Sequence, residues 1–302
     1  MSFFEDFTLE NIAVEDGKIR LRRGGDGPPL LLVGGLGVQV ISWTETFVAT
    51  LANRGFRVIA YDNRDIGLST KHNDWGPADI KTAFTQARAK EKVEAPYTLD
   101  DMADDAAGLL DALKIEKAHI VGSSNGGAIA QTLAIRHPYK IATMVSIMAT
   151  SGRRGLPRPQ GKVAEWLARP RKPSGTREGA MDEAVSTAQL IGSTGFPRDE
   201  QVLRDRAGRL YDRSFYPAGN SRHLLASIAS GDSRAAKLGE ITAPTLVIHG
   251  REDPLVDLAC AKDVQKSIPG AKILVINGMG HDYPDGAVPR IADAILENSQ
   301  RD

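Results

Sequence analysis

The chain has 302 residues, 41% hydrophobic and 25% charged, with 38 Lys plus Arg against 38 Asp plus Glu and a formal net charge of zero. That is an ordinary globular composition with no global field to draw nucleic acid or an anionic membrane. The one cysteine, Cys260, excludes an intramolecular disulfide and fits a reducing compartment. No stretch approaches the ~18 apolar residues of a membrane-spanning helix, and MSFFEDFTLE has neither the basic n-region nor the apolar h-region of a signal peptide. A cytoplasmic protein without membrane attachment is expected.

The first twenty or so residues, split at Asp16-Gly17, read as an antiparallel hairpin. Residues 30–33 (LLLV) read as a buried strand, followed by the glycine-rich loop Gly34-Gly35-Leu36-Gly37. A helical pattern over 44–54 leads to a second strand, 57–61, which runs into Asp62-Asn63-Arg64-Asp65-Ile66-Gly67-Leu68-Ser69. Residues 98–113 read as a helix, with Thr98 and Asp101 forming a capping-box-like start. The third strand, 118–122, runs into Gly122-Ser123-Ser124-Asn125-Gly126, and a helix over 125–137 stops before Pro138. A fourth strand is expected over 141–148.

Residues 151–235 break the alternation. They open on the Gly/Pro/Arg-rich SGRRGLPRPQG and continue in helix-like blocks near 176–191, 199–213 and 218–229, with no convincing strand. The basic cluster from Arg153 to Arg177 reads as a solvated segment rather than a binding patch. Strands return at 244–249 and 272–276, with helices over 258–268 and 287–298. Short apolar runs alternating with amphipathic segments specify an α/β fold with a mostly parallel sheet covered on both faces. The expected organisation is a core domain of residues 1–150 and 236–302, with 151–235 inserted as a helical cap over the carboxyl edge, where open α/β sheets bind ligands.

The chemistry follows from three loops. G-x-S-x-G between a strand and a helix is a nucleophile elbow, and it places the Ser124 hydroxyl on the tip of a strained turn. Gly122 and Gly126 are required because a Cβ at either would strike the neighbouring strand or helix. A serine hydroxyl needs a base. Of six histidines, only His249 and His281 fall downstream at the carboxyl edge, and the order serine, acid, histidine selects His281. Asp253, before Pro254, is the expected acid; Asp257 is read as the cap of the next helix, and Glu252 as pointing away. The oxyanion donors are expected to be the backbone N–H groups of Leu36 and Asn125. No zinc-like spacing of His and acid is present, and neither metal nor organic cofactor is expected.

Together these residues resemble the α/β-hydrolase superfamily over nearly the whole chain. Tyr61-Asp62-Asn63-Arg64-Asp65-Ile66-Gly67-Leu68-Ser69 is similar to its Y-D-x-R-x-x-G-x-S signature, and Pro244–Gly250 is similar to the strand leading to the acid. The passage around Gly195-Phe196-Pro197 adds a resemblance to aclacinomycin methylesterase-type hydrolases. The resemblance implies a serine esterase acting through an acyl-enzyme on a small-molecule ester, with neither nucleic acid nor membrane as partner and homodimerisation left open. Lactone or carbon–carbon bond hydrolysis by the same residues, and a non-catalytic ligand receptor on the same fold, are the alternatives. Two positions depart from the pattern: Gly34-Gly35 replaces the frequent His-Gly, and Asn125 stands where relatives usually have an apolar residue, often Met, or Gln. The Asn125 side chain is expected to face the acyl pocket and either select a polar acyl or leaving group or add a donor near the oxyanion. Trp166, Phe196, Tyr211, Phe215 and Tyr216 either line an apolar pocket or form the inserted segment's own small core, the second reading being favoured.

Overall fold

The computed structural model describes residues 8–14, 17–168 and 174–301, so the N-terminal MSFFEDF, Glu15-Asp16 and the 169–173 part of the basic cluster lie outside the described residues. The described residues form one eight-stranded sheet in the order β1-β2-β4-β3-β5-β6-β7-β8. Its strands are β1 (Thr8–Val14), β2 (Gly17–Gly24), β3 (Pro29–Val33), β4 (Arg57–Tyr61), β5 (Ala118–Ser123), β6 (Ile141–Ile147), β7 (Thr245–Gly250) and β8 (Lys272–Ile276). The expected hairpin pairs β1 with β2, Val14 opposite Gly17, and β2 joins β4 antiparallel. The other six strands run parallel.

Each central strand alternates between two cores, because successive side chains leave a strand on opposite faces. Leu30 and Leu32 point into one cluster with Val58, Val121, Val145 and Ile248; Leu31 and Val33 point into the other with Ile59, Ile120 and Val247. The first cluster is closed by α1 (Glu45–Asn53) and α11 (Val288–Ser299). The second is closed by α3 (Leu99–Ala112), α4 (Asn125–Arg136) and α10 (Leu258–Ser267). Both faces are therefore apolar, and the strands read as continuous apolar runs rather than as alternation. Thr98 starts α3 with the anticipated capping box, and Asp257 caps α10 by accepting the Ala259 N–H.

Between β6 and β7 the described residues form α5 (Gly161–Ala168), α6 (Arg177–Ile191), α7 (Glu200–Arg213), α8 (Pro217–Ser230) and α9 (Ser233–Lys237), with no strand. These helices rest on the loops leaving β3 and β4. Gln39, after β3, donates through Nε2 to the carbonyls of Leu210 and Ser214 at 2.8 and 3.0 Å, capping the end of α7. Arg213 of α7 reaches Asp62 at 2.7 Å, and Arg222 of α8 reaches Asp65 at 2.7 Å.

Three helices were not among those expected from the sequence. The missed α2 (Ile80–Ala89) carries Ile80, Ala83, Phe84 and Ala87 at helical spacing, a signal that was overlooked, and of these it buries Ala83 alone. The missed α5 begins inside a Gly/Pro/Arg-rich stretch, and α9 is five residues long. Arg153 pairs with Asp263, Arg154 with Asp232 and Arg177 with Asp212, so these members of the basic cluster are spent on surface ion pairs.

Candidate active site

The chain turns from β3 to β4 on one side and then crosses to β5 on the other, so the loops after β3 and β5 diverge at a switch point of the sheet. Ser124 sits on the second of these loops at φ 52, ψ −118, a strained backbone for a residue with a Cβ. The turn is held by the Ser124 N–H, which donates to Ile147 at 2.8 Å, and by the Ser124 carbonyl, which accepts from Gly127 at 2.9 Å. The flanking glycines are required as expected: a Cβ at Gly122 would lie 2.1 Å from the Gly126 carbonyl oxygen, and one at Gly126 2.0 Å from that of Val33.

Ser124, His281 and Asp253 come from three loops at this edge and meet. Ser124 Oγ lies 3.0 Å from His281 Nε2, and His281 Nδ1 lies 2.7 Å from Asp253 Oδ2. The Asp253 side chain is fully buried, and its Oδ1 accepts from Leu255 N–H at 2.9 Å and Val256 N–H at 2.8 Å. The carboxylate is fixed on both oxygens. It holds Nδ1 as the N–H and leaves Nε2 as the acceptor facing the serine. Glu252 turns outward and accepts the Gly278 N–H. His249 is buried beside Asp253 but donates from Nε2 to the Val256 carbonyl at 2.8 Å, and burial lowers its pKa. It does not reach the serine.

Leu36 and Asn125 flank the serine, one on each side of the switch point. Gly35 packs so closely that a Cβ there would lie 3.3 Å from Ser124 Cβ. Neither the Leu36 nor the Asn125 N–H has an acceptor among the described residues, and Asn125 opens α4, where N–H groups are free. The Asn125 side chain departs from expectation. It does not join the residues lining the cavity but turns toward α8, where Oδ1 accepts from Ser227 Oγ at 2.6 Å and Nδ2 is buried without a partner.

A cavity of about 500 Å³ opens on His281 between α6, α7 and the start of α8, within the range of small-molecule sites. Tyr211, Phe215 and Tyr216 line it, so the favoured reading of these three as a separate small core is corrected. An aromatic ring on the inner face of a helix carries the same sequence signal whether it meets protein or a hollow. Phe196 packs against the core cluster behind the β7–β8 end of the sheet, and Trp43 is buried against Phe47 and Tyr283 at ring separations of 5.3 Å.

Sequence reasoning missed the stitching between the inserted helices and the histidine loop. His281 N–H donates to the Ile191 carbonyl at 2.7 Å, and Gly195 N–H to the Gly278 carbonyl at 2.9 Å. Asp282 accepts the Ser193 N–H and hydroxyl, while Ser193 Oγ accepts the Gly280 N–H at 3.0 Å. The Gly-Phe-Pro passage is the sole sequence trace of this clasp.

A family model described as the alpha/beta hydrolase fold matches residues 28–284. A rhodomycin D methylesterase of Streptomyces sp. (strain C5) is 29% identical, over 90% of this chain and 91% of the relative. A 2-hydroxymuconate semialdehyde hydrolase of Pseudomonas sp. (strain CF600) is 30% identical, over 87% and 84%. Among solved structures, the enol-lactonase from Burkholderia xenovorans LB400 superposes with a TM-score of 0.72 at 23% identity, covering 97% of this chain and all of that one. At that identity the likeness speaks for the fold.

Proposed function

The chain belongs to the alpha/beta hydrolase fold family, and from that premise we propose that it is a serine hydrolase that cleaves carboxylic esters through an acyl-enzyme. The observation that carries this reading is the continuous contact Ser124–His281–Asp253 on a strained elbow. In the first step the Ser124 oxygen attacks the ester carbonyl as its proton passes to His281 Nε2. The carbonyl oxygen takes the negative charge and is received by the N–H groups of Leu36 and Asn125. The tetrahedral species collapses, the C–O bond to the alcohol breaks, and the alcohol leaves with the His281 proton. Water then gives a proton to His281 and attacks the acyl carbon; collapse returns the proton to Ser124 and releases the acid. Asp253 orients and stabilises the imidazolium. Residues 151–235 act as the cap that excludes water and shapes the substrate cavity.

Similarity to a rhodomycin D methylesterase favours methyl esters within this class. Similarity to a 2-hydroxymuconate semialdehyde hydrolase supports a second reading, carbon–carbon bond hydrolysis of a vinylogous diketone by the same serine. The test is turnover of methyl esters, lactones and vinylogous diketones by the wild type and Ser124→Ala. Ester turnover with a p-nitrophenol burst, absent from the alanine variant, supports the first reading. Turnover of diketones alone supports the second, and a Ser124→Ala enzyme that retains the burst overturns both.

A further inference from the structure

The cavity beside His281 carries a charge that the ester chemistry does not use. Arg206 lies in the wall that α7 contributes, half-buried, and no carboxylate among the described residues is within ion-pair distance of it. Its neighbours on the helix are engaged elsewhere: Arg204 pairs with Glu178 and Asp182, and Arg213 with Asp62. Burial pulls the Arg206 pKa below the ordinary arginine value, with Asp282 and Asp285 opposing and Arg209 adding to the effect. The cavity's other charged groups act on it from beyond ion-pair distance. Asp282 spends its carboxylate on the Ser193 N–H and hydroxyl, and Glu183, which also lines the cavity, is solvent-exposed and forms no ion pair with Arg206. A partly desolvated guanidinium without a counter-ion is costly, and its planar fork matches a carboxylate with two parallel hydrogen bonds.

The wall near Arg206 is small and apolar. Ala180, Ala184 and Ala188 face it from α6, and Ala207 and Leu210 from α7. Such a surface accommodates a hydrocarbon chain between the guanidinium and His281.

We propose that this cavity takes small esters bearing a second, ionised carboxyl group, which Arg206 receives while the ester lies against Ser124 and His281. The proposal rests on the esterase reading above and adds the substrate class to it.

The test compares kcat/KM for monomethyl esters of straight-chain dicarboxylic acids, glutarate to suberate, with neutral methyl alkanoates of matching length. Wild type, Arg206→Gln and Arg206→Lys are assayed. In parallel, adipate is added to Ser124→Ala and to Ser124→Ala/Arg206→Gln while melting temperature is followed. Wild type is expected to favour one half-ester at least tenfold over its neutral match. Arg206→Gln should shrink that ratio to within twofold, with KM carrying the change, and Arg206→Lys should keep part of it. Adipate should raise the melting temperature of Ser124→Ala but not of the double variant. A wild-type preference for neutral esters, a half-ester ratio unchanged in Arg206→Gln, or equal adipate effects on both alanine variants overturns the anion site. Ester turnover with no half-ester preference leaves the esterase reading standing. Adipate stabilisation through Arg206 with no ester turnover removes that reading and keeps the anion site.

Discussion

Arg222 grips Asp65 with both ends of its guanidinium, Nε to Oδ2 at 2.7 Å and Nη2 to Oδ1 at 2.8 Å, and the two side chains are 1% and 0% exposed. Tyr97 and the His72 N–H also donate to this carboxylate. Burial by itself works against ionisation of Asp65, and the hydrogen bonds from Arg222, His72 and Tyr97 more than reverse it, so its pKa lies below the usual value. The pair joins the loop after β4 to α8.

Removing Arg222 alone strands that carboxylate in the interior. Arg222→Met is expected to destabilise by about 3–5 kcal/mol. Adding Asp65→Asn should recover part of the loss, because the stranded charge goes with it. Urea unfolding of the single and double variants checks this; a loss below about 1 kcal/mol for Arg222→Met would refute it.

Ser124→Ala should lower kcat by roughly a million-fold, as expected for loss of an activated serine. Asp253→Asn should lower it by about 10⁴-fold, because the amide no longer enforces the Nδ1–H tautomer of His281. Steady-state kinetics on an ester the wild type turns over, with a circular dichroism control for folding, decides the point.

Stability should fall on mild acidification because His223 is buried and neutral. Burial is the main cause that lowers its pKa to about 4, while its bond to the Arg64 carbonyl opposes the shift. Above about 6.5 the histidine is neutral in both folded and unfolded chains. Between about 6.5 and 4 only the unfolded chain takes up the proton, so stability drops as pH falls, by about 3 kcal/mol in all. His249 is shifted in the same direction. His223→Gln keeps a donor for the carbonyl and removes the titration. Urea midpoints measured from pH 7.5 to 4.5 should fall less steeply in that variant.

Gly195 and Gly278 touch backbone to backbone; a Cβ on Gly195 would stand 2.5 Å from Gly278 Cα. Gly195→Ala must therefore push the histidine loop. A displacement of this size is expected to cost on the order of 10- to 100-fold in kcat, with a parallel drop in the rate at which a fluorophosphonate labels Ser124. An unchanged labelling rate would show that the clasp does not position His281.

Asn125→Met removes both a hydrogen bond to Ser227 and a buried unpartnered amide nitrogen. The two effects offset, and stability should stay within about 1 kcal/mol of wild type. Ser227→Ala leaves the whole amide unpartnered and should cost about 1–3 kcal/mol. The ratio of activity on polar and apolar esters should not move in Asn125→Met, since the side chain faces α8. A larger loss in Asn125→Met than in Ser227→Ala would overturn this account.

The sheet and the three loops of the site were legible because their signals are local. An apolar run such as Leu30–Val33 must be buried, Ser124 lies between its own glycines, and His281 follows its own strand. The latches were not legible. Arg213 lies 151 positions from Asp62, and α7 also carries Arg204, Arg206 and Arg209. Which of those four turns inward depends on how the helix is seated, and its apolar stripe of Leu203, Ala207 and Leu210 does not by itself say which. The same blindness applies to Tyr211 and Phe215, whose rings face a hollow that two helices create only by meeting.

The hydrogen bond from His281 N–H to the Ile191 carbonyl has a practical consequence for grafting experiments. Exchanging only residues 151–235 between relatives would seat a foreign helix end on the native histidine loop. The base would then be aligned by a mismatched partner even if every other junction fitted. The transplantable unit is discontinuous: the helices of 151–235 together with the loop 278–283, carried over as one graft.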